Sequence, residues 1–238
     1  SDAPFWHLGF LAVPVTIIWI VGITNAVNLI DGLDGLAVGV SSIAAITMLA
    51  VALLTDNMAI AITMAALTGA CIGFMPYNLN PAKIFMGDTG STFLGYMLAT
   101  VSIMGLFKFY AVISFAVPFL ILGLPIFDTA NAIIRRLAEG RSPMSPDRGH
   151  VHHKLIDMGF NQKQAVAILY AISATLGLTA VVLTSSGEVK AVVLLAAVLA
   201  AILVGACIIY GAEHWGKHPQ EQKKHKNEAA QEEKNKHE

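Results

Sequence analysis

Seven predominantly apolar stretches follow one another along the chain, at 8–30, 36–54, 58–78, 91–107, 109–134, 165–184 and 190–211. Most are near 20 residues long, which at about 1.5 Å of rise per residue crosses a hydrocarbon core of roughly 30 Å. Backbone polar groups inside lipid must bond within the protein, so these stretches predict helices. The fourth is short, and the fifth is long enough to tilt, to kink at Pro118 or Pro125, or to run out into water. The expected fold is all-α: a polytopic integral membrane protein of about seven transmembrane helices, with residues 1–212 as the membrane domain.

Composition agrees. Of 238 residues 55% are hydrophobic and 13% charged, and the mean hydropathy is +0.65, too apolar for an ordinary soluble domain. A net charge of −1 gives no basic footprint, so no nucleic-acid partner is expected. The placement of charge is more informative. The 135–163 segment holds Arg135, Arg136, Arg141, Arg148, Lys154 and Lys163, the tail holds six lysines, and Lys83 falls on the same face, against Lys108 and Lys190 opposite. The positive-inside rule makes that face cytoplasmic, which puts the C-terminus inside and the N-terminus of this chain outside. Residues 1–7 carry no basic region or cleavage site, so the first apolar run reads as a mature span. Cys71 and Cys207 fall inside spans and read as packing residues. Residues 213–238, with six acids, six lysines and four histidines, read as a disordered cytoplasmic tail.

The polar residues are not spread evenly. The outer connections are brief, whereas the inner ones hold most of the unusual chemistry. The first inner loop reads Asn25-Ala-Val-Asn28-Leu-Ile-Asp31-Gly-Leu-Asp34-Gly. Polar residues at every third position sit about 60° apart on a helix and would wrap around it if the helix continued. Gly32 and Gly35 permit a break that turns Asp31 and Asp34 toward one site. Carboxylates held close repel unless a cation lies between them, and hard divalent ions seek such oxygens. A plain helix end with solvated aspartates would carry the same spacing.

The second inner loop, 78–91, contains Phe85-Met-Gly87-Asp88-Thr89-Gly90-Ser91 before the next span. Its glycines let backbone N–H groups approach an anion, and the helix that follows favours phosphate at its start; alternatively Asp88 or Ser91 is an N-cap. The third runs from Arg135 through Arg148-Gly-His150-Val-His152-His153. Guanidinium forks bind phosphate, and histidine donates to phosphate, moves protons or ligates metal. Arg135 and Arg136 read first as topology anchors beside the membrane. Asp128, near the inner end of the fifth span, needs a partner there; Arg135 or Arg136, about two turns on, are candidates, as is a polar cavity.

Three strings in this order, NAVNLIDGLDGL at 25–36, GDTGS at 87–91 and SPMSPDRGHVHHKL at 142–155, resemble the signatures of the polyprenyl-phosphate N-acetylhexosamine-1-phosphate transferases. The third is most similar to the branch that uses UDP-N-acetylglucosamine, which includes enzymes that initiate wall teichoic acid and lipid-linked glycans. The resemblance covers about residues 8–211. It implies a multi-pass protein of the bacterial cell membrane that transfers N-acetylglucosamine 1-phosphate from its UDP derivative to polyprenyl (undecaprenyl) phosphate, releasing UMP. It further implies Mg²⁺ or Mn²⁺ as cofactor, held by Asp88 and Asp31. The catalytic set would be Asp31, Asp34, Asp88, His150, His152 and His153, with substrate held by Asn25, Asn28, Gly87 and Arg148; a homodimer is compatible with it. Family members are longer and carry an Asp-Asp pair in an earlier cytoplasmic loop that this sequence lacks, so the chain is expected to be the C-terminal part of such an enzyme, of doubtful activity alone. Two readings rival the enzyme: a divalent-metal or small-solute transporter, for which ionisable residues nearer the midplane and paired broken helices are expected, and a catalytically dead fragment or accessory membrane subunit.

Overall fold

A computed structural model of the chain describes residues 9–106, 111–143, 145 and 149–185, all within one compact unit, Ser1–Val192. The seventh expected span, the 213–238 tail, Lys108, Lys190 and Arg148 lie outside the described residues.

Among the described residues there are helices and turns and no strands. After a 3-10 turn at Gly9–Leu11 come α1 (Ala12–Leu29), α2 (Leu36–Leu54), α3 (Met58–Asn78), α4 (Gly87–Leu106), α5 (Ala111–Ile121), α6 (Gly123–Ala138), α7 (Val151–Asp157) and α8 (Gln162–Ser185). Gly9–Leu29, α2, α3 and α8 are each long and apolar enough to cross a membrane. The protein is a multi-pass membrane protein.

Of the alternatives for the fifth stretch the structure takes the kink at Pro125, as a break at Leu122 into α5 and α6; one expectation, for the fourth helix, is corrected. Pro125 is the cause, because it has no N–H for the Ile121 carbonyl and its ring crowds that carbonyl; the chain restarts with the Ile126 N–H on the Leu122 carbonyl at 3.1 Å. Pro118 sits inside α5 without ending it. The fourth helix starts earlier than hydropathy indicates, so Gly87–Ser91 forms its first turn and is not a loop.

α2 is the centre of the bundle, packed against α3, α4 and α8. Its outer neighbours approach closely where side chains are small, as in other membrane bundles. A Cβ on Gly39 would overlap the Tyr170 ring, and one on Gly177 would lie 2.4 Å from Thr47 Oγ1. α1 packs on α4 and α6, with the Trp19 indole donating to Ser102 Oγ at 2.9 Å, and turns Val13, Ile17, Ile18 and Val21 outward. At one end of the bundle Ile30, Leu36, Val40, Leu124, Val166 and Leu169 form an apolar floor, onto which Leu33, Met86, Val151 and Leu155 pack. Those last four residues belong to all three polar segments, so one hydrophobic patch gathers them.

Candidate active site

The first segment is the break between α1 and α2. Gly35 has φ +82°, a left-handed turn that glycine adopts without strain, and it starts α2 in a new direction. Gly32 has a different task. A Cβ there would lie 2.4 Å from His152 Nε2, so the bare backbone lets the third segment touch the first.

The second segment is strapped to the first by asparagines. Asn78 accepts from the Gly35 N–H at 3.2 Å and donates to the Ile84 carbonyl at 3.0 Å. Asn80 donates to Asp34 Oδ2 at 3.0 Å and to Gln162 Oε1 at 2.9 Å, and the Ala82 N–H donates to the same Asp34 oxygen at 3.1 Å. Beyond the strap, Asp88 stands exposed in the first turn of α4. Ser91, fully buried, donates to Asn28 Oδ1 at 2.5 Å, so it ties α4 to α1 instead of capping a helix.

The third segment is held from below. Arg135 Nη1 donates to the Gly149 carbonyl at 3.0 Å and Arg136 Nη1 to the Pro143 carbonyl, so both arginines brace the loop backbone. Asp128, 3% exposed, does not pair with either. Its Oδ1 accepts from the Val151 N–H at 2.8 Å and its Oδ2 lies 2.8 Å from His150 Nδ1. The expectation of an arginine partner fails because both Asp128 oxygens are engaged by the start of α7, while Arg135 and Arg136 reach the Gly149 and Pro143 carbonyls. On α7 the rings of His150 and His152 lie nearly parallel, 5.7 Å apart, and those of His152 and His153 are 4.3 Å apart.

These contacts set the charges. The Asp31 carboxyl is pushed up to about 6 by partial burial and then by the carboxylates of Asp88 and Asp34. Burial, with His153 and His150 beside it, holds the His152 ring down near 4 despite the opposing pull of Asp128. At neutral pH His152 is therefore an uncharged ring, and its Nε2 is buried with no hydrogen-bond partner among the described residues. Asp31 and Asp88 fit a hard cation: the Asp88 carboxylate lies close enough to raise the proton affinity of Asp31. Among the described residues no three His, Cys, Asp or Glu side chains close around a point. Such an open pair suits Mg²⁺, which binds through one or two carboxylates and keeps water and phosphate oxygens as its other ligands.

Of the expected site residues, Asp31, Asp34, Asp88, Asn28, Gly87, His150, His152 and His153 come together at this end. Asn25 does not: it is exposed on α1 and donates to the Val21 carbonyl of its own helix at 2.7 Å. Sequence reasoning missed Asn78, Asn80 and Gln162, which carry the strap. Their only signal was polarity at the end of an apolar stretch.

Residues 2–106 match the family model described as glycosyl transferase family 4. The chain is similar to a probable undecaprenyl-phosphate N-acetylglucosaminyl 1-phosphate transferase of Bacillus subtilis, 45% identical over 181 residues that cover 76% of this chain and 51% of the relative. It is 40% identical over 178 residues to a decaprenyl-phosphate N-acetylglucosaminephosphotransferase of Mycolicibacterium smegmatis, covering 66% of this chain and 43% of the relative. A phospho-N-acetylmuramoyl-pentapeptide-transferase of Clostridium beijerinckii is 35% identical over 175 residues, 71% of this chain and 50% of that protein. The chain spans about half the length of the curated relatives it matches.

Proposed function

We propose that the chain belongs to glycosyl transferase family 4, whose model matches residues 2–106, and that it transfers N-acetylglucosamine 1-phosphate from UDP-N-acetylglucosamine to a polyprenyl phosphate, releasing UMP. The observation that carries this reading is the meeting of Asp31, Asp34 and Asp88 with a histidine helix at one end of an apolar bundle. A phosphorylated, water-soluble donor and a lipid acceptor both need that combination. In the reaction an oxygen of the lipid phosphate attacks the sugar-bearing phosphorus, the bond from that phosphorus to the UMP oxygen breaks, and UMP leaves.

Asp88 and Asp31 would hold Mg²⁺ or Mn²⁺, which when bound would supply positive charge against that developing on the transferring phosphoryl group. Asp34, pinned by Asn80 and the Ala82 N–H, offers its other oxygen to the donor. His150, His152 and His153 face phosphate or sugar, His152 as a neutral donor or acceptor, and Arg148 and the Gly87 turn add phosphate contacts. Asn28 shapes the site through Ser91. The three segments face the cytoplasm, where the nucleotide sugar is found, and the product feeds cell-wall or related glycan synthesis such as that of teichoic acid. N-acetylglucosamine is favoured over N-acetylmuramoyl-pentapeptide because, in the matches that run over 175 residues or more, relatives named for it are 45% and 40% identical and those named for the pentapeptide 35% and 37%; a shorter match to one of the latter, over 97 residues, is 52% identical.

The test uses membranes that carry the protein, labelled UDP-N-acetylglucosamine and polyprenyl phosphate. Label should enter lipid only when acceptor is present, stop with EDTA and return with Mg²⁺. Asp88→Asn, at an exposed position, should lose at least about 100-fold in turnover at unchanged protein level. Near-normal turnover of Asp88→Asn would refute the role of Asp88. Metal uptake without transfer would favour a transporter.

A further inference from the structure

We propose that Asp128 is a positioning residue that sets the tautomer of His150 and the orientation of the histidine helix. The consequence for turnover rests on the transferase reading above; the tautomer does not. Asp128 projects from α6, and both of its oxygens are engaged with the start of α7, Oδ1 with the Val151 N–H and Oδ2 with His150 Nδ1, each at 2.8 Å. The contact is dry: Asp128 is 3% and His150 5% exposed. An ionised carboxylate can only accept hydrogen bonds. His150 Nδ1 therefore carries a proton, and in the neutral tautomer so fixed it is Nε2 that keeps the lone pair.

One side chain thus fixes three things. Val151 is the first residue of α7, and its N–H has no partner inside the helix, so Asp128 determines where the helix begins. It determines which His150 nitrogen bears the proton. It also determines the plane of the His150 ring, which lies within 6° of the His152 ring, and His152 in turn rests against Gly32 beside Asp31. A clamp for Val151 alone would need only an oxygen, which asparagine supplies as well as aspartate; the His150 contact is the part that requires a carboxylate. In Asp128→Asn the amide keeps its oxygen on Val151 and turns its NH₂ toward His150 Nδ1. That nitrogen must then accept, and the proton moves to Nε2.

The test combines ¹⁵N-histidine NMR of the full chain in detergent with acceptor-dependent UMP release, on wild type, Asp128→Asn, His150→Gln and the double variant. The His150 signals, identified by their loss in His150→Gln, should show the proton on Nδ1 in wild type and on Nε2 in Asp128→Asn. Asp128→Asn should reach the membrane and melt near wild type, while kcat falls about 100-fold or more with donor KM little changed. Because Asp128 acts through His150, Asp128→Asn should add little to the loss already caused by His150→Gln. A wild-type spectrum with the proton on Nε2, which needs no variant, would overturn the proposal; so would losses that multiply in the double variant. If wild type shows the Nδ1 proton but no acceptor-dependent UMP release, the positioning of His150 stands and the transferase reading falls.

Discussion

The two ends of the helical bundle are built differently. Where α2 turns into α3, the hydrogen bonds among the described residues are local: the Thr55 N–H returns to the Val51 carbonyl at 3.0 Å and the Asn57 N–H to the Ala52 carbonyl at 2.8 Å, and Asn57 accepts from the Ile60 N–H at 3.4 Å. At the opposite end the junctions join distant parts of the chain: Gly35 with Asn78, Asp34 with Asn80, Asn80 with Gln162 and Asp128 with His150. A local turn can be altered with little effect elsewhere. At the polar end no segment is shaped by its own sequence alone, so a substitution that removes one of these contacts should be felt as both lost stability and lost binding.

Asn80→Ala is the strongest test of that difference. It removes the donor shared by Asp34 and Gln162, and about 1–3 kcal/mol of stability should go with it. Thermal melting should fall, and the KM for the nucleotide sugar should rise several-fold because Asp34 is released. A variant that melts normally and binds normally would break the comparison.

The pH dependence of melting sharpens it further, because two shifted groups at this end oppose each other. Asp31, facing Asp88 and Asp34, titrates in the folded protein near 6 against an ordinary 3.8. It contributes stability that is fully present below about 3.8 and is lost as pH rises toward 6. His152, facing His153, His150 and Asp128, titrates near 4 against 6.5. The unfolded chain binds its proton more readily, so its contribution is present above 6.5 and is lost as pH falls toward 4. Wild type should therefore show a shallow pH profile between 4 and 6.5. Melting of Asp31→Asn should rise with pH across this window and that of His152→Gln should fall; parallel profiles for the two would contradict the assignment. Added Mg²⁺ should stabilise wild type more at pH 7 than at pH 5, since it binds ionised carboxylates.

The smallest effect belongs to the other end. Asn57→Ala removes one helix cap and should cost about 1 kcal/mol or less, with transfer activity unchanged. A loss of turnover there would show that the ends are coupled.

Much of this architecture is legible in the sequence because lipid imposes it: the apolar stretches give α1, α2, α3 and α8 to within a few residues. The turn at Asp31–Gly35 is legible too, since a helix that continued would scatter its polar residues. The break at Leu122 is not, because two prolines compete as its cause and only packing shows that Pro125 ends the helix. The early start of α4 is hidden for a similar reason: GDTGS reads as loop until Ser91 is seen buried against Asn28. Asp128 shows the limit most clearly. Neighbours on its own helix suggest an arginine partner, whereas the observed one stands 22 positions away, and a tertiary turn, not a pattern, brings it there. Asn78 and Asn80 look like ordinary helix-end residues for the same reason.

The central claim is that the first and third segments meet at Gly32 and His152, and a double-mutant cycle in melting temperature tests it without recourse to activity. Gly32→Ala places a methyl 2.4 Å from His152 Nε2, on a ring 2% exposed, and should cost about 1–3 kcal/mol through overpacking. The same substitution in a His152→Ala background should cost almost nothing, because the ring it collides with is gone. An equal loss in both backgrounds would mean that the two segments do not touch.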